Sequence, residues 1–322
     1  MELLDLTFLG TAGSAPTARR GLPATLVRCG GDRLLFDCGE GTQRQMIRSV
    51  GLVPVDCVFV THFHVDHFLG LPGLLKTYGL VGRTEPLRLY GPPGLRQLFG
   101  DLHPVIGRTA FDVVLTELEP HESVDRDGYR VEPYAVEHGP RAYGYVVAEA
   151  DRPGRFDADA AAALGVAEGP DFGRLQRGEA VTGTDGAEVH AEQVVGEARR
   201  GRKLVLTGDT APCELTRLAA WEADVLVHEA TFAEEDAARA RETGHSTARA
   251  AAELAASATV LLLALTHLSQ RYPPTLIEEE ARALFADTVV PRDFDTIEVP
   301  LPERGPPKHV HGGARERTTP AS

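Results

Sequence analysis

The sequence predicts an α/β (α+β) protein in which packed sheets are covered by helices. Three observations support this. Short apolar runs of strand length recur between Gly, Pro or Asp; stretches rich in Leu, Ala, Glu and Arg lie between them; and a strand-rich first half gives way to alternating strand and helix. In chain order, Leu-Thr-Phe-Leu at 6–9 and Arg-Leu-Leu-Phe at 33–36 are strand-like, and 43–49 is helical in composition. Cys-Val-Phe-Val at 57–60 suits a strand, 71–78 a helix, and Tyr-Gly-Tyr-Val-Val at 143–147 a strand. The second half then alternates: strand 204–206, helix 212–221, strand 225–227, helices 233–241 and 247–256, strand 260–265, helix 276–285.

Composition narrows the function classes. The 322 residues carry 33 Lys+Arg against 47 Asp+Glu, a net charge of −14, with 43% hydrophobic and 25% charged residues. These values sit near globular averages and exclude a disordered acidic chain. The acidic balance argues against indiscriminate nucleic-acid binding, which depends on Lys and Arg neutralising phosphates, but is compatible with a metal-centred phosphate site. The strongly apolar stretch 260–265 is far short of the roughly 20 residues a membrane-spanning helix needs, so no membrane association is expected. Acids in Met1-Glu2-Leu3-Leu4-Asp5, where a secretory signal would carry Lys or Arg, point to a cytoplasmic protein. Cys29, Cys38, Cys57 and Cys213 form no C-x-x-C pair, which favours buried free thiols over disulfides or a thiolate metal site.

Two segments depart from the alternation. Residues 152–183 look like a small helical excursion, a protruding arm inserted in a main domain spanning 1–302. Residues 303–322, rich in Pro, Gly, Arg and Thr, are expected to be an unstructured tail, with His309 and His311 belonging to it rather than to a metal site.

The chemistry is concentrated in Phe59-Val60-Thr61-His62-Phe63-His64-Val65-Asp66-His67, where a strand-like run ends in three imidazoles and a carboxylate. An extended backbone projects His62 and His64 to one side, and Asp66 and His67 follow where the chain should turn. The remaining candidates, His138, Asp209 and His267, each follow a strand-like run, as does Glu229 in Val225-Leu226-Val227-His228-Glu229. Residues leaving strands at one end of a sheet converge in layered α/β proteins. Five imidazoles and two carboxylates without a thiolate suit zinc and tolerate manganese or iron. The spacing suits two metals rather than one, and we assign His62, His64 and His138 to one ion, Asp66, His67 and His267 to a second, and Asp209 to a bridge between two divalent cations, Zn²⁺ or alternatively Mn²⁺.

With these residues in view, the chain resembles the metallo-β-lactamase-fold hydrolases and, within them, the ribonuclease Z family. The resemblance rests on H-x-H-x-D-H at 62–67 and on further segments in order along the chain. These are Phe36-Asp37-Cys38-Gly39-Glu40, Gly70-Leu71-Pro72-Gly73, Glu137-His138-Gly139, Gly208-Asp209-Thr210, His228-Glu229-Ala230-Thr231, His245-Ser246-Thr247 and Thr266-His267-Leu268-Ser269-Gln270-Arg271-Tyr272. It implies a four-layer αββα sandwich and endonucleolytic removal of the 3′ trailer from precursor tRNA, leaving a tRNA 3′-hydroxyl and a trailer 5′-phosphate. It also implies that Glu229 and His245 protonate the leaving oxygen and that the protein is a homodimer; Asp66 is a candidate catalytic residue as well as a ligand, since its carboxylate can both coordinate metal and accept a proton from the attacking water. The excursion corresponds to the family's tRNA-clamping arm, its Gly169-Pro170 matching a Gly-Pro element there. Arg20 and Arg271 are candidate RNA contacts.

Two departures from the family pattern accompany these matches. In Pro16-Thr17-Ala18-Arg19-Arg20-Gly21 the family's P-x-K-x-R-N loop keeps only Pro16 and Arg20, and Val65 stands where Gly is usual, which calls for an ordinary backbone conformation there. Competing readings on the same fold are a small-molecule phosphodiesterase or ester or lactone hydrolase, and a non-catalytic RNA-binding scaffold.

Overall fold

The computed structural model describes residues 3–313. Two sheets make up most of it. The first runs, edge to edge, Lys308–Val310, Thr296–Glu298, Leu4–Gly10, Ala24–Cys29, Asp32–Phe36, Cys57–Phe59, Leu87–Gly91, Val113–Glu117. It is antiparallel as far as Asp32–Phe36 and parallel beyond. The second runs Thr288–Val289, Leu262–Thr266, Val225–Glu229, Lys203–Leu206, Tyr143–Glu149, Tyr129–Ala135, Val124–Arg126.

Strand alternation explains why the sheets face each other. Leu6, Phe8, Val27, Leu34, Phe36, Cys57 and Phe59 point inward and join Tyr145, Leu204, Leu206, Val225, Val227 and Ala264 of the second sheet in one buried cluster. Their neighbours Leu26, Leu35, Val58 and Val60 point outward and pack under the helices Thr42–Arg48, Leu71–Leu80 and Leu95–Asp101. Helices Ala248–Ser257 and Pro274–Arg282 lie against the strands of the second sheet. The result is helix, sheet, sheet, helix, the four layers implied by the resemblance.

The expected strands and helices are present with shifted ends, and the structure adds several that composition did not mark. Leu87–Gly91 carries Arg88 exposed between buried Leu87 and Leu89, so its period-2 pattern is short and interrupted. The expected helix at 233–241 is a 3₁₀ turn, Glu234–Asp236, followed by the helix Ala237–Thr243.

The tail expectation needs correction. Residues 303–313 are structured: Lys308–Val310 pairs antiparallel with Thr296–Glu298, because an edge strand with free N–H and C=O groups accepts another strand whatever its side chains. The remainder of that call, 314–322, lies outside the described residues.

Residues 148–202 form a separate compact unit, wider than the expected 152–183. Asp157 caps the helix Ala158–Ala163 by accepting the Ala160 N–H, and Gly169-Pro170 opens the helix Pro170–Gln176 with Pro at its first position. Ala161, Val166, Leu175, Val181, Val189 and Val194 form its small core. Arg202 grips Glu149 with two hydrogen bonds, of 2.7 and 2.6 Å.

Candidate metal centre

The chain leaves Cys57–Phe59 in extended form and turns at His64 (φ −69°, ψ 149°) into the short helix Val65–Phe68. Val65 is the first helical residue and is not among the residues with positive φ, as expected of a branched side chain. That turn swings His67 back beside His62, with ring centroids 4.2 Å apart. Two glycines permit it: a Cβ on Gly70 would stand 1.9 Å from the Gly39 carbonyl oxygen, and one on Gly39 would stand 2.4 Å from that of Asp66. Asp209 follows Lys203–Leu206 after Gly208 (φ 61°), and His267 follows Leu262–Thr266 in a left-handed conformation of its own (φ 56°).

All seven predicted residues meet. His62, His64, His138 and Asp209 form one group, and Asp66, His67 and His267 another. Nδ1 of His64 lies 2.9 Å from Nε2 of His62 and 3.2 Å from Nε2 of His138. In the second group Nε2 of His267 is 3.3 Å from Oδ2 of Asp66 and 3.3 Å from Nε2 of His67. Asp209 faces both: its Oδ2 is 3.8 Å from His62 and His138, its Oδ1 3.3 Å from His67 and His267.

The donor chemistry fits divalent cations. Oδ1 of Asp209 is buried and accepts no hydrogen bond of ordinary geometry, a costly state for a carboxylate oxygen without a cation. The far nitrogens are already occupied: His62 Nδ1 by the Thr61 hydroxyl, His67 Nδ1 by Asp37, His138 Nδ1 by the Gly244 carbonyl and His267 Nδ1 by the Thr231 hydroxyl. Each of these rings is thereby fixed with its Nε2 aimed inward. Burial holds His62 well below and His64 below the ordinary imidazole range, so both present lone pairs. Burial also opposes charge on His67, but Asp209 and Asp37 outweigh it and lift that group well above its ordinary value, a negative field that favours a cation. Burial disfavours ionising Asp66, yet the hydrogen bond with His267 and the nearby imidazoles hold its carboxyl far below the usual range.

Beside this centre Glu229 is fully enclosed and holds His245 Nδ1 at 2.7 Å. Burial pulls the His245 imidazole down, but the Glu229 hydrogen bond and charge outweigh it and raise it above its ordinary value. His245 also lines a cavity of about 300 Å³ with Phe232, Arg239, Ser269 and Arg271.

Residues 20–267 match the metallo-beta-lactamase superfamily model. A ribonuclease Z of Gemmatimonas aurantiaca is 50% identical over 308 residues, covering 94% of this chain and 98% of that one. The chain belongs to the ribonuclease Z family. A ribonuclease Z of Myxococcus xanthus is 49% identical, covering 94% and 99% of the two chains. The crystal structure of the short form of human tRNase Z shares 28% identity and superposes with a TM-score of 0.66, covering 92% and 99%.

Asp37 apart, the side chains that support this centre left no sign in the local spacing of the sequence. Asp37 accepts bonds from the Thr61 N–H (2.8 Å) and contacts His67 at 2.7 Å, while the Ser14 N–H donates to Asp66 at 2.8 Å. Thr231 connects Glu229 and His267 through one hydroxyl. Asp37 stood in a recognised segment and, as a carboxylate following a strand, carried the same signal as Asp209. Arg20 is half-buried, and its guanidinium donates to the Thr11 hydroxyl (2.5 Å) and the Pro291 carbonyl (2.7 Å). Glu229 accepts from the Thr231 hydroxyl, which also contacts His267 Nδ1, and it holds His245 Nδ1. Arg271 is exposed on the cavity wall, joined there by Arg239, which was not foreseen. In the unit 148–202, Arg174 pairs with Asp171 and Glu179, and Arg177 with Glu179, so these arginines do not form an unopposed basic face. No helix among the described residues is long and apolar enough to cross a membrane.

Proposed function

We propose that His62, His64 and His138 hold one divalent cation, that Asp66, His67 and His267 hold a second, and that Asp209 joins them. The chain is an endoribonuclease that removes the 3′ trailer from precursor tRNA by phosphodiester hydrolysis. The single observation that carries the two-cation reading is Asp209, whose two oxygens face different imidazole groups. The nitrogen and oxygen donors suit zinc best, with manganese as the alternative. When bound, the pair supplies an activated water at neutral pH and neutralises charge developing on the phosphoryl group.

The protein's own side chains do the rest. Asp66, kept ionised, serves as a ligand and can accept a proton from the attacking water. His245, held by Glu229, donates a proton to the departing 3′-oxygen, which needs an acid to leave as a hydroxyl. Arg271 and Arg239 bind phosphate oxygens flanking the scissile bond from the cavity wall. The unit 148–202, with Gly169-Pro170, provides a further contact to tRNA, and the enzyme acts as a cytoplasmic homodimer.

Incubating metal-loaded protein with a precursor tRNA and mapping both product ends tests the reading. A tRNA 3′-hydroxyl with a trailer 5′-phosphate is expected, and Asp66→Ala or His64→Ala should abolish it. Normal turnover by Asp66→Ala, or cleavage confined to bis(p-nitrophenyl) phosphate, would defeat it.

A further inference from the structure

The geometry points to a third cation site, formed by Asp295, His309 and His311 and sharing no residue with the centre described above. Its three donor atoms are Oδ2 of Asp295, Nε2 of His309 at 2.8 Å from it and Nδ1 of His311 at 3.2 Å. They form a compact group of metal-ligand type. His309 lies in the strand Lys308–Val310 opposite Ile297, and Asp295 immediately precedes the partner strand Thr296–Glu298. His311, two residues on, turns its ring to the same carboxylate, with ring centroids 4.6 Å apart. A tetrahedral cation with bonds of about 2.0–2.2 Å separates its ligand atoms by about 3.3 Å, close to the two separations from Oδ2 of Asp295, and all three donor atoms lie within 4.8 Å of one another.

Two features argue for a cation rather than a hydrogen-bonded clamp. Oδ2 of Asp295 also receives the Arg292 N–H at 3.0 Å, so without a cation three donors converge on one oxygen that has two lone pairs. One cation replacing the two imidazole protons needs a single lone pair and leaves the other for Arg292. The carboxylate is also fixed in place. It is buried, and its Oδ1 accepts the Gly312 N–H at 2.9 Å. A Cβ on Gly312 would fall 1.7 Å from the Phe294 carbonyl oxygen, so only glycine lets the chain approach this closely. Two imidazoles and a carboxylate select a first-row divalent cation, zinc above all, and the exposed side of His311 leaves room for water as fourth ligand. Such an ion fastens the final described strand to the sheet edge. It also stiffens the adjoining segment, where Asp293 accepts the Gly21 N–H and the Thr11 hydroxyl.

Equilibrium dialysis of the full chain against Zn²⁺, followed by elemental analysis, tests the site. One zinc equivalent per chain should disappear in a His309→Gln/His311→Gln variant, with cleavage of precursor tRNA retained. His311→Gln alone, at an exposed position, should weaken the same equivalent and guards against misfolding of the double variant. Equal zinc content in the wild-type chain and both variants would overturn the proposal and leave the nuclease reading untouched.

Discussion

Nδ1 of His245 lies 2.7 Å from Oε1 of Glu229, and that carboxylate is itself held by the Thr210 N–H, the Thr231 N–H and the Thr231 hydroxyl. Four donors leave Glu229 a single orientation, and its hydrogen bond keeps a proton on Nδ1 of His245, so that Nε2 is the nitrogen free to carry the proton it donates. Glu229→Gln and His245→Ala are each expected to lower kcat by about 10²–10⁴-fold, the range of one positioned proton donor. KM and bound metal should stay near wild type. Because the two act as a unit, the double variant should be little worse than either single one. Single-turnover cleavage of precursor tRNA measures all three, and multiplicative losses would show independent roles.

Asp37 touches none of the proposed cations but aligns His67. Asp37→Ala should raise the zinc concentration needed for half-maximal cleavage by about 10–100-fold, while saturating zinc restores most of kcat. Activity in zinc-buffered solutions would read this directly, and an unshifted midpoint would remove Asp37 from the site.

The Gly39–Gly70 approach brings the turn after His64 against the end of the first sheet. Gly70→Ala must push backbone from backbone, and a cost of about 1–3 kcal/mol with weakened metal binding is expected. Gly73→Ala is the control. Its Cβ meets only the flexible end of Gln43, and alanine favours a helix interior over glycine by about 1 kcal/mol. Thermal melts of the two variants should therefore differ in size, with Gly70→Ala much the lower.

Burial pushes the Cys38 thiol up to about 12 and the Cys57 thiol up to about 11. Since the thiolate is the reactive form and these values lie above the ordinary one, both should resist alkylation at pH 8, where they are protonated as well as enclosed. Cys29 is buried too, whereas Cys213 is only partly covered. Iodoacetamide should label one thiol in the folded protein, Cys213, and four after denaturation, as counted by mass spectrometry.

Much of the centre was legible because its clues are local. Three imidazoles and a carboxylate within six residues need only a strand end and a turn to converge, and covalent spacing supplies both. The other ligands were legible one step further away, since strands in one sheet deliver their ends to a common edge: Glu229 sits opposite Thr266, next to His267.

What composition and spacing left open was decided by contacts between distant segments. Asp37 reaches His67 across 30 positions and Thr231 reaches His267 across 36. Nothing in either local sequence announces those bonds, because they exist only once the sheets have packed. Arg20 had the right chemistry for phosphate, and the fold turned it inward to Thr11 and Pro291. His309 and His311 sat in a stretch too polar to suggest structure, until an open strand edge captured it and set both rings against Asp295. Residue periodicity and local spacing were enough for packed sheets under helices and for the proposed ligands. Tertiary structure alone decided which side chains brace the ligands and which cations of the protein face solvent, because burial and hydrogen-bond partners are properties of the closed chain.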